Sequence, residues 1–489
     1  MICRLRFHAL VAPLPVLVLL SLAGCAVPLG PGYQIERQQT ELRYVAAPPQ
    51  LQLRATYRLR NIGNREISFI EAELPSERLY GRQSLRVRVD GREVAVQPAP
   101  TSQDAGSPVR IPFDAWPQNR RRDLAIEYTL APPPPGRANL AVTGESFHVR
   151  DAAALPLLLP PKAGIIKRGK PVQEAGLDIF APSEFRVLSG GHSHGSRKGT
   201  NEIETRVAFR PGDYQSFVVA GRYQEQTVQA GKVTVLFWTF EPLDPQRAQA
   251  AAGRIAAAFR TYQTTFGPLW KNPPPIRFIE VSSSLTRRTA GAGDPAAVAL
   301  PAGALLNHAA FALGVSSDAF LDLVEHELAH TWFGETVSPW PRTEPVLGEG
   351  LAEYAKVVAA EARSGDAERR HQAGLLLRWF DESRKQAADP PLLQIGADDP
   401  YEQRVFGYTK GALFFLALED RYGKDNVRRA LAHMVASLRG SEVGYAELRA
   451  ALEIEAKQSL ADFFRLWLDG KGIPEDFRAR YEQKIEPRP

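Results

Sequence analysis

Cysteine is scarce in this sequence, since only Cys3 and Cys25 occur among 489 residues. Two cysteines cannot build a disulfide-stapled scaffold, and they exclude a zinc site or an iron–sulfur cluster held by cysteines. The excess of one charge sign is also small, because the chain has 60 basic and 55 acidic residues and a net charge of +5. So small an excess gives no electrostatic reason to expect a nucleic-acid partner. Hydrophobic residues make up 44% of the chain, which is enough to fill real cores and excludes a wholly disordered protein.

Both cysteines lie in an amino-terminal segment that has the marks of a secretory signal. Two arginines precede an apolar run over residues 9–22, which prolines interrupt and which is too short for a good membrane-spanning helix. Residues 22–25 (LAGC) resemble the lipobox of bacterial lipoproteins. The resemblance implies a signal peptide over residues 1–24, a lipid on Cys25, and a place in the bacterial cell envelope, on the periplasmic side of the outer membrane. An ordinary signal peptide with an incidental cysteine is the alternative.

Hydrophobic periodicity divides the remaining chain into two domains. After a polar tether at residues 25–40, residues 41–230 alternate apolar and polar side chains, which predicts a β-rich domain of two packed sheets. Residues 231–489 form the second domain, which changes to almost continuous helical periodicity over residues 316–468. The elements expected before that helical region are a strand, a helix and a strand, at residues 233–240, 244–266 and 276–281. The predicted fold class is therefore multidomain α+β, a β-sandwich or saddle-like domain followed by a mainly α domain with a small mixed sheet.

One segment carries a metal-binding pattern, HExxH, at residues 326–330. Helical positions four apart differ by about 40° in direction and about 6 Å in height, so the imidazoles of His326 and His330 can reach one metal ion. Glu327 lies close to the same face, where its carboxylate can contact a water molecule on the metal. The alternative is a chance match in which both histidines are merely hydrogen-bonded inside a buried helix.

A third candidate ligand, Glu349, lies nineteen residues after His330. Pro345 favours a helix start, which places Glu349 in the first turn of a second helix. Two imidazoles and one carboxylate leave the fourth zinc position open, which is the arrangement of a catalytic rather than a structural site. We therefore expect one zinc ion per chain.

The letters HELAHTWFGE, the eighteen-residue gap that follows and LGEGLAEY resemble the gluzincin metallopeptidases, specifically the M1 aminopeptidase family. Residues 408–413 (YTKGAL) are similar to the family's Tyr-x-Lys-Gly segment. The resemblance implies a thermolysin-like zinc peptidase domain over residues 231–489, with Glu327 as general base and Tyr408 as stabiliser of the tetrahedral intermediate. Glu353, one helical turn beyond the glutamate ligand, is expected to orient a zinc-bound imidazole, unless it is simply a solvent-exposed side chain.

Two departures from the family leave the specificity open. The family's Gly-x-Met-Glu-Asn segment, whose glutamate binds the free α-amino group of the substrate, has no clean match. Asp294 in residues 291–295 (GAGDP) is the preferred candidate for this anchor, followed by an edge strand at residues 296–306, and its alternative role is that of a turn residue. Residues 303–307 (GALLN) offer a second register, but a leucine stands where the acid should be. The chain also ends where the family usually adds a β domain and a large helical domain, so we expect a short form with an open cleft.

These patterns together predict a lipid-anchored zinc metallopeptidase that acts on peptide or protein substrates. Aminopeptidase activity is the leading specificity, and an open-cleft endopeptidase is the alternative. A catalytically altered binding or scaffold lipoprotein and a hydrolase of non-peptide substrates are the other classes. The joint presence of five site residues argues against a scaffold, because a scaffold needs none of them together. The oligomeric state is not predicted.

Overall fold

The structure is a computed structural model, and it describes the greater part of the chain between residues 32 and 482. The described ranges are residues 32–75, 77, 81–99, 106–132, 140–150, 156–159, 174–190, 192–209, 217–282, 297–300, 303–397 and 399–482. The predicted signal segment and Cys25 lie outside these ranges. Within them, no helix combines the length and the apolar character that a membrane-spanning helix requires.

Strands dominate the N-terminal domain. Those that the structure describes there are β1 (Tyr33–Ala46), β2 (Pro49–Asn61), β3 (Ile67–Pro75), β4 (Arg82–Val89), β5 (Arg92–Glu93), β6 (Gln97–Pro98), β7 (Gly106–Trp116), β8 (Arg121–Leu130), β9 (Leu140–Val142), β10 (Ser146–Arg150), β11 (Leu157–Leu159), β12 (Glu174–Pro182), β13 (Arg186–Ser189), β14 (His192–Lys198), β15 (Glu202–Phe209) and β16 (Phe217–Gly221).

These strands form three sheets around one core, where the sequence predicted two sheets. An eight-stranded sheet has the order β14-β15-β12-β1-β2-β8-β4-β5, and two four-stranded sheets have the orders β13-β16-β10-β9 and β11-β3-β7-β6. The period-two pattern is confirmed in β2, where Leu51, Leu53 and Leu59 are buried on one face. The sheet β13-β16-β10-β9 consists of strands of three to five residues, and so short an alternation cannot reveal an additional sheet.

A five-stranded mixed sheet opens the second domain. Its strands are β17 (Gln224–Ala230), β18 (Val233–Thr239), β19 (Ile276–Val281), β20 (Ala297–Leu300) and β21 (Gly303–Asn307). The order is β17-β18-β19-β21-β20, in which the three inner strands are parallel and both edge strands are antiparallel. Strand β17 lies before the predicted division at residue 230, yet it pairs with β18, and its Val228 and Ala230 belong to the core of the second domain. The division itself stays a prediction.

Helices make up most of the rest of the second domain. Those described are α1 (Pro245–Phe266), α2 (His308–Ala312), α3 (Asp318–Ala329), α4 (Leu351–Ser364), α5 (Asp366–Gln386), α6 (Tyr401–Tyr422), α7 (Lys424–Ser437), α8 (Tyr445–Ala456), α9 (Ala461–Phe464) and α10 (Glu475–Tyr481), with π-helical turns at Pro345–Gly350 and Arg465–Asp469, a 3₁₀ turn at Leu392–Gln394, and the short strands β22 (Ser338–Pro339) and β23 (Glu442–Val443). The helix expected at 244–266 begins one residue later, because Asp244 caps it and accepts a hydrogen bond from the Arg247 amide at 2.8 Å.

Two buried charged side chains, Glu325 and Lys410, connect the helices around the candidate site to their neighbours. Glu325, whose side chain is 2% exposed, lies on α3 and accepts hydrogen bonds from Arg254 of α1 at 2.8 Å and from Arg363 of α4 at 2.9 Å. On α6, the fully buried Lys410 donates a hydrogen bond to the Gly470 carbonyl at 2.6 Å. These contacts join α3 to its two neighbours and join α6 to the carboxyl-terminal part of the chain.

Candidate metal centre and active site

Helix α3 presents the two histidines of the HExxH pattern. Ser317 caps its amino terminus and accepts a hydrogen bond from the Phe320 amide at 3.2 Å. The helix ends at Ala329, so His330 is its C-cap residue and keeps right-handed helical backbone angles. Because His330 keeps helical backbone angles, its imidazole lies on the same side of α3 as the imidazole of His326.

Three ligand atoms converge on one point beside α3. The Glu349 Oε2 atom lies 3.0 Å from His326 Nε2 and 3.3 Å from His330 Nε2, and the two nitrogens are 3.1 Å apart. Zinc bonds of about 2.0–2.1 Å at tetrahedral angles place neighbouring ligand atoms about 3.3 Å apart. The donor set therefore fits a zinc ion in both chemistry and spacing, and Glu327 has a carboxylate oxygen within 4.8 Å of both histidine ligand atoms.

An oxygen atom lies close to the other ring nitrogen of each histidine. The Glu353 Oε1 atom lies 2.8 Å from His326 Nδ1, and Lys356 donates a hydrogen bond to the second Glu353 oxygen at 2.8 Å. The His330 Nδ1 atom lies 3.1 Å from the Phe333 carbonyl oxygen, to which it can donate only as Nδ1–H. These contacts direct both Nε2 lone pairs toward the convergence point, which is how outer contacts of metal-binding histidines commonly act. Glu353 is thus a buried neighbour of His326 rather than a solvent-exposed side chain.

Charges in the site shift the ionisation of its members strongly. Burial lowers the pKa of His326, but Glu349 and Glu353 outweigh it and raise this pKa to about 10. Burial also lowers the pKa of His330, but Glu349 outweighs this effect and raises the pKa to about 8. Burial raises the pKa of Glu349, yet the two histidines hold it well below its ordinary value. In the metal-free site, the Glu349 carboxylate therefore lies against protonated imidazoles. A cation that binds between these groups must displace the imidazole protons.

Tyr408 lies on α6 with its ring stacked on that of His326, at a centroid distance of 6.0 Å and an interplanar angle of 4°. Burial, followed by the charges of Glu349 and Glu344, raises the pKa of Tyr408 far above its ordinary value. The hydroxyl therefore keeps its proton at any physiological pH and can act as a hydrogen-bond donor. The structure thus brings together five predicted residues from three separate parts of the sequence, together with Glu353.

A close helix crossing holds Glu349 and Tyr408 in this arrangement. Glu349 is part of the π-helical turn Pro345–Gly350, which leads directly into α4, whereas the sequence predicted an ordinary first helical turn. A Cβ atom on Gly407 of α6 would lie 2.4 Å from Pro345 Cβ, and one on Gly350 would lie 2.8 Å from the Gly407 carbonyl oxygen. Only glycine permits the two backbones to approach this closely.

Sequence reasoning missed one acidic residue in the site, Glu344. Burial and the adjacent Glu349 raise the pKa of the Glu344 carboxyl to about 8. Its Oε2 atom is buried and has no hydrogen-bond partner among the residues that the structure describes. Its position five residues before Glu349 gave no signal, because an acidic residue near a helix start is ordinarily a favourable solvent-exposed contact with the helix dipole.

The predicted amine anchor, Asp294, lies outside the described residues, and so do residues 291–295 around it. The strand expected at 296–306 is two antiparallel strands, because the chain reverses between β20 (Ala297–Leu300) and β21 (Gly303–Asn307). Strand β20 is one of the two edge strands of the mixed sheet, while β21 is paired on both sides. The edge position expected after Asp294 therefore belongs to β20, and the second register (303–307) falls on an inner strand.

Comparisons of the sequence with known proteins find similarity to peptidases. Residues 294–467, less than half of the chain, match the family model described as the Peptidase family M1 domain. The chain is 29% identical to Aminopeptidase M1-B of Oryza sativa subsp. japonica over 157 residues, which are 31% of this chain and 18% of that protein. It is 27% identical to Probable aminopeptidase 1 of Saccharolobus solfataricus over 175 residues, 34% of this chain and 21% of that protein. The chain thus matches about a fifth of the length of these curated relatives.

The similarity to solved structures covers nearly the whole chain. A mutant M1 zinc metallopeptidase from Deinococcus radiodurans, bound to a Tyr-Ser-Ala substrate, gives a TM-score of 0.61 at 16% identity and covers 91% of this chain and 95% of that one. At this identity the likeness shows the fold, a two-domain M1 metallopeptidase fold with a β-rich domain followed by a mainly helical one. The predicted fold class is confirmed. The residues that match the family model include the three candidate ligands, Glu327 and Tyr408.

Proposed function

We propose that this chain is a zinc-dependent metallopeptidase that removes amino-terminal residues from peptides. The observation that carries the proposal is the convergence of His326, His330 and Glu349 on one point with Glu327 and Tyr408 beside it. A purely structural zinc site would not require Glu327, a nearby carboxylate that is not a ligand, and it would not require the protonated phenol of Tyr408. The aminopeptidase names of the two curated relatives support the exopeptidase specificity.

The mechanism follows from what each side chain can do at its observed place. A zinc ion held by the two histidines and Glu349 would supply a Lewis acid for the peptide carbonyl and lower the pKa of a water molecule. Glu327 takes a proton from the attacking water and passes it to the leaving amine. The Tyr408 hydroxyl keeps its proton and donates a hydrogen bond to the developing oxyanion. Glu353 keeps the His326 ring in position through the turnover.

The zinc content and two peptide substrates test this proposal. The full chain is purified in mild detergent, its zinc is measured by mass spectrometry, and its activity is compared on a peptide with a free amino terminus and on the N-acetylated form. We expect one zinc per chain and cleavage of the free-amine peptide only. Cleavage of the blocked peptide would instead indicate an endopeptidase, and full zinc occupancy without any cleavage would indicate a scaffold or a hydrolase of other substrates.

Two substitutions assign the roles. Glu327→Ala is expected to abolish cleavage while zinc remains bound. Tyr408→Phe is expected to lower kcat by about 10²–10³ without loss of zinc, because removal of one oxyanion donor typically has this effect. Tyr422→Phe on the same helix is the matched control and should leave kcat unchanged. Equal kcat values for the Tyr408 and Tyr422 variants would refute the oxyanion role.

We also propose that the protein is a lipoprotein of the bacterial cell envelope, with peptides as its partners and the membrane contacted through lipid on Cys25. The support is the LAGC segment and the signal-like residues that precede it. Labelling with a fatty acid and fractionation of membranes test this point. Cys25→Ser should remove the label and release the chain from the membrane fraction, and an unchanged distribution would refute the anchor.

A further inference from the structure

A positively charged side chain stands beside the candidate site without an ion-pair partner in the part of the chain that the structure describes. Arg404 lies on α6, and together with Tyr401 and Tyr408 it occupies positions i, i+3 and i+7, which share one face of a helix. This face points toward the metal centre, because the Tyr408 ring stacks on His326. The side chain of Arg404 is half-buried. Among the residues that the structure describes, its guanidinium has neither an ion pair nor a side-chain hydrogen bond within bonding distance.

The surroundings of Arg404 combine acid groups with aromatic rings. Burial is the largest cause of the raised pKa values of Glu344 and Tyr408, and the charge of Arg404 partly opposes both increases. The guanidinium is therefore close enough to act on the site electrostatically. The rings of Tyr401 and Trp379 lie 6.3 Å and 6.2 Å from that of Tyr408 and form an aromatic wall along the same side. Half-buried guanidinium groups are commonly paired with carboxylates, since the planar fork of donors matches two oxygens.

The distance along the helix limits which ligand can reach this group. Arg404 lies one turn, about 6 Å, before Tyr408, whose hydroxyl is proposed to bind the reacting carbonyl oxygen. Each extended peptide residue spans about 3.3–3.6 Å, so a group one or two residues from the scissile bond comes within reach of a long arginine side chain. A carboxylate at that distance is either the acidic side chain of the residue before the scissile bond or the free carboxyl terminus of a short peptide.

We propose that Arg404 binds a carboxylate of the substrate close to the scissile bond and so makes this enzyme prefer acidic or very short peptides. The inference rests on the proposed peptidase function. The side chain would touch the substrate and take no part in proton transfer. Its contribution should therefore appear mainly in KM for substrates that carry the carboxylate and be absent for substrates that lack it.

Two matched pairs of substrates separate the two sources of the carboxylate. Glu-Ala-amide against Gln-Ala-amide tests an acidic side chain, and Ala-Ala against Ala-Ala-amide tests a free carboxyl terminus. We expect the acid member of at least one pair to have a lower KM by about ten- to a hundredfold, the effect of a hydrogen bond to a charged group. Arg404→Met should abolish that preference, Arg404→Lys should keep part of it, and Arg370→Met, an exposed arginine on α5, should keep all of it. A uniform loss over all four substrates in Arg404→Met would overturn the proposal, because it would show a general electrostatic or structural role.

A binding measurement makes the result independent of turnover. In Glu327→Ala protein loaded with zinc, the dissociation constants of the same four peptides are measured by calorimetry, with and without Arg404→Met. A preference for the acid members that disappears with Arg404→Met supports the proposal, and equal affinities for acid and amide members overturn it. If the wild-type chain cleaves none of the peptides, the proposed function fails, while this comparison still decides the role of Arg404.

Discussion

Substitution of Gly407 by alanine tests how closely catalysis depends on the crossing between α6 and the π-helical turn. The added Cβ would lie 2.4 Å from Pro345 Cβ and 2.5 Å from the Pro345 carbonyl oxygen. Ordinary contact between such atoms begins near 3.4 Å, so the two segments must separate by about 1 Å. The neighbours are backbone and a proline ring, and neither can rotate away.

The separation moves Glu349 and Tyr408 apart, because each lies on one of the two segments. A displacement of about 1 Å at groups that position a substrate can lower the rate about 10²-fold. Overpacking should also reduce the free energy of unfolding by about 1–3 kcal/mol. We therefore expect Gly407→Ala to fold, to bind zinc more weakly and to lose about two orders of magnitude in kcat/KM.

Gly253→Ala is the matched control for this experiment. Gly253 is an exposed position on α1, and a Cβ there would have no atom within 4 Å. The same chemical change should raise the free energy of unfolding by about 0.5–1 kcal/mol, since alanine favours helix, and leave kcat/KM unchanged. The assays are peptide cleavage, zinc content and urea unfolding. A folded Gly407→Ala protein with wild-type kcat/KM would refute the reasoning.

Three further predictions concern the metal and the helix that carries it. Glu353→Gln should weaken zinc binding about 10- to 100-fold in chelator competition, because the His326 ring loses its anionic neighbour; unchanged affinity would contradict this role. Since the pKa values of metal-free His326 and His330 are raised to about 10 and about 8, zinc must displace protons at pH 7, and the affinity for zinc should rise with pH until both pKa values are passed. Calorimetry in buffers of different ionisation enthalpy measures the number of protons released. An affinity that does not change with pH would contradict this prediction. Glu325→Gln should lower the free energy of unfolding by about 1.5–3 kcal/mol, because Arg254 and Arg363 both lose a buried charged acceptor, although Arg254 keeps Asp318 and Asp322. Glu382→Gln, in an exposed ion pair, should change it by less than about 1 kcal/mol; similar urea midpoints would contradict the difference.

The metal centre is the part of the site that could be predicted best. The spacing of His326 and His330 is a property of a single helix, and the helical pattern around them is strong, so their joint direction follows from local geometry. The role of Glu349 needed the second helix to lie alongside, which the resemblance to a known family supplied. The structure brings these side chains together as expected, and the identity of the bound ion stays a prediction.

Features that depend on contacts between distant segments could not be predicted. The π-helical turn that carries Glu349 arises where Pro345 meets Gly407, and no local pattern in the sequence indicates that contact. The burial of Glu344 and the placement of Arg404 beside it depend in the same way on how α6 packs against this turn. The register of the family resemblance predicted a single edge strand over residues 296–306, and it could not reveal that the chain reverses between Leu300 and Gly303.

The buried ammonium group of Lys410 has a consequence for how the protein opens. It lies two residues after Tyr408 and donates a hydrogen bond to the Gly470 carbonyl, so the last helices cannot detach without removing a hydrogen-bond partner from a fully buried charge, which would keep only Asp389 at 3.8 Å among the described residues. Local opening at the carboxyl-terminal end and loss of the tyrosine's position should then be one event rather than two. Amide protons of α6 and of the segment around Gly470 are expected to exchange with solvent at a common rate, as members of a single cooperative unit.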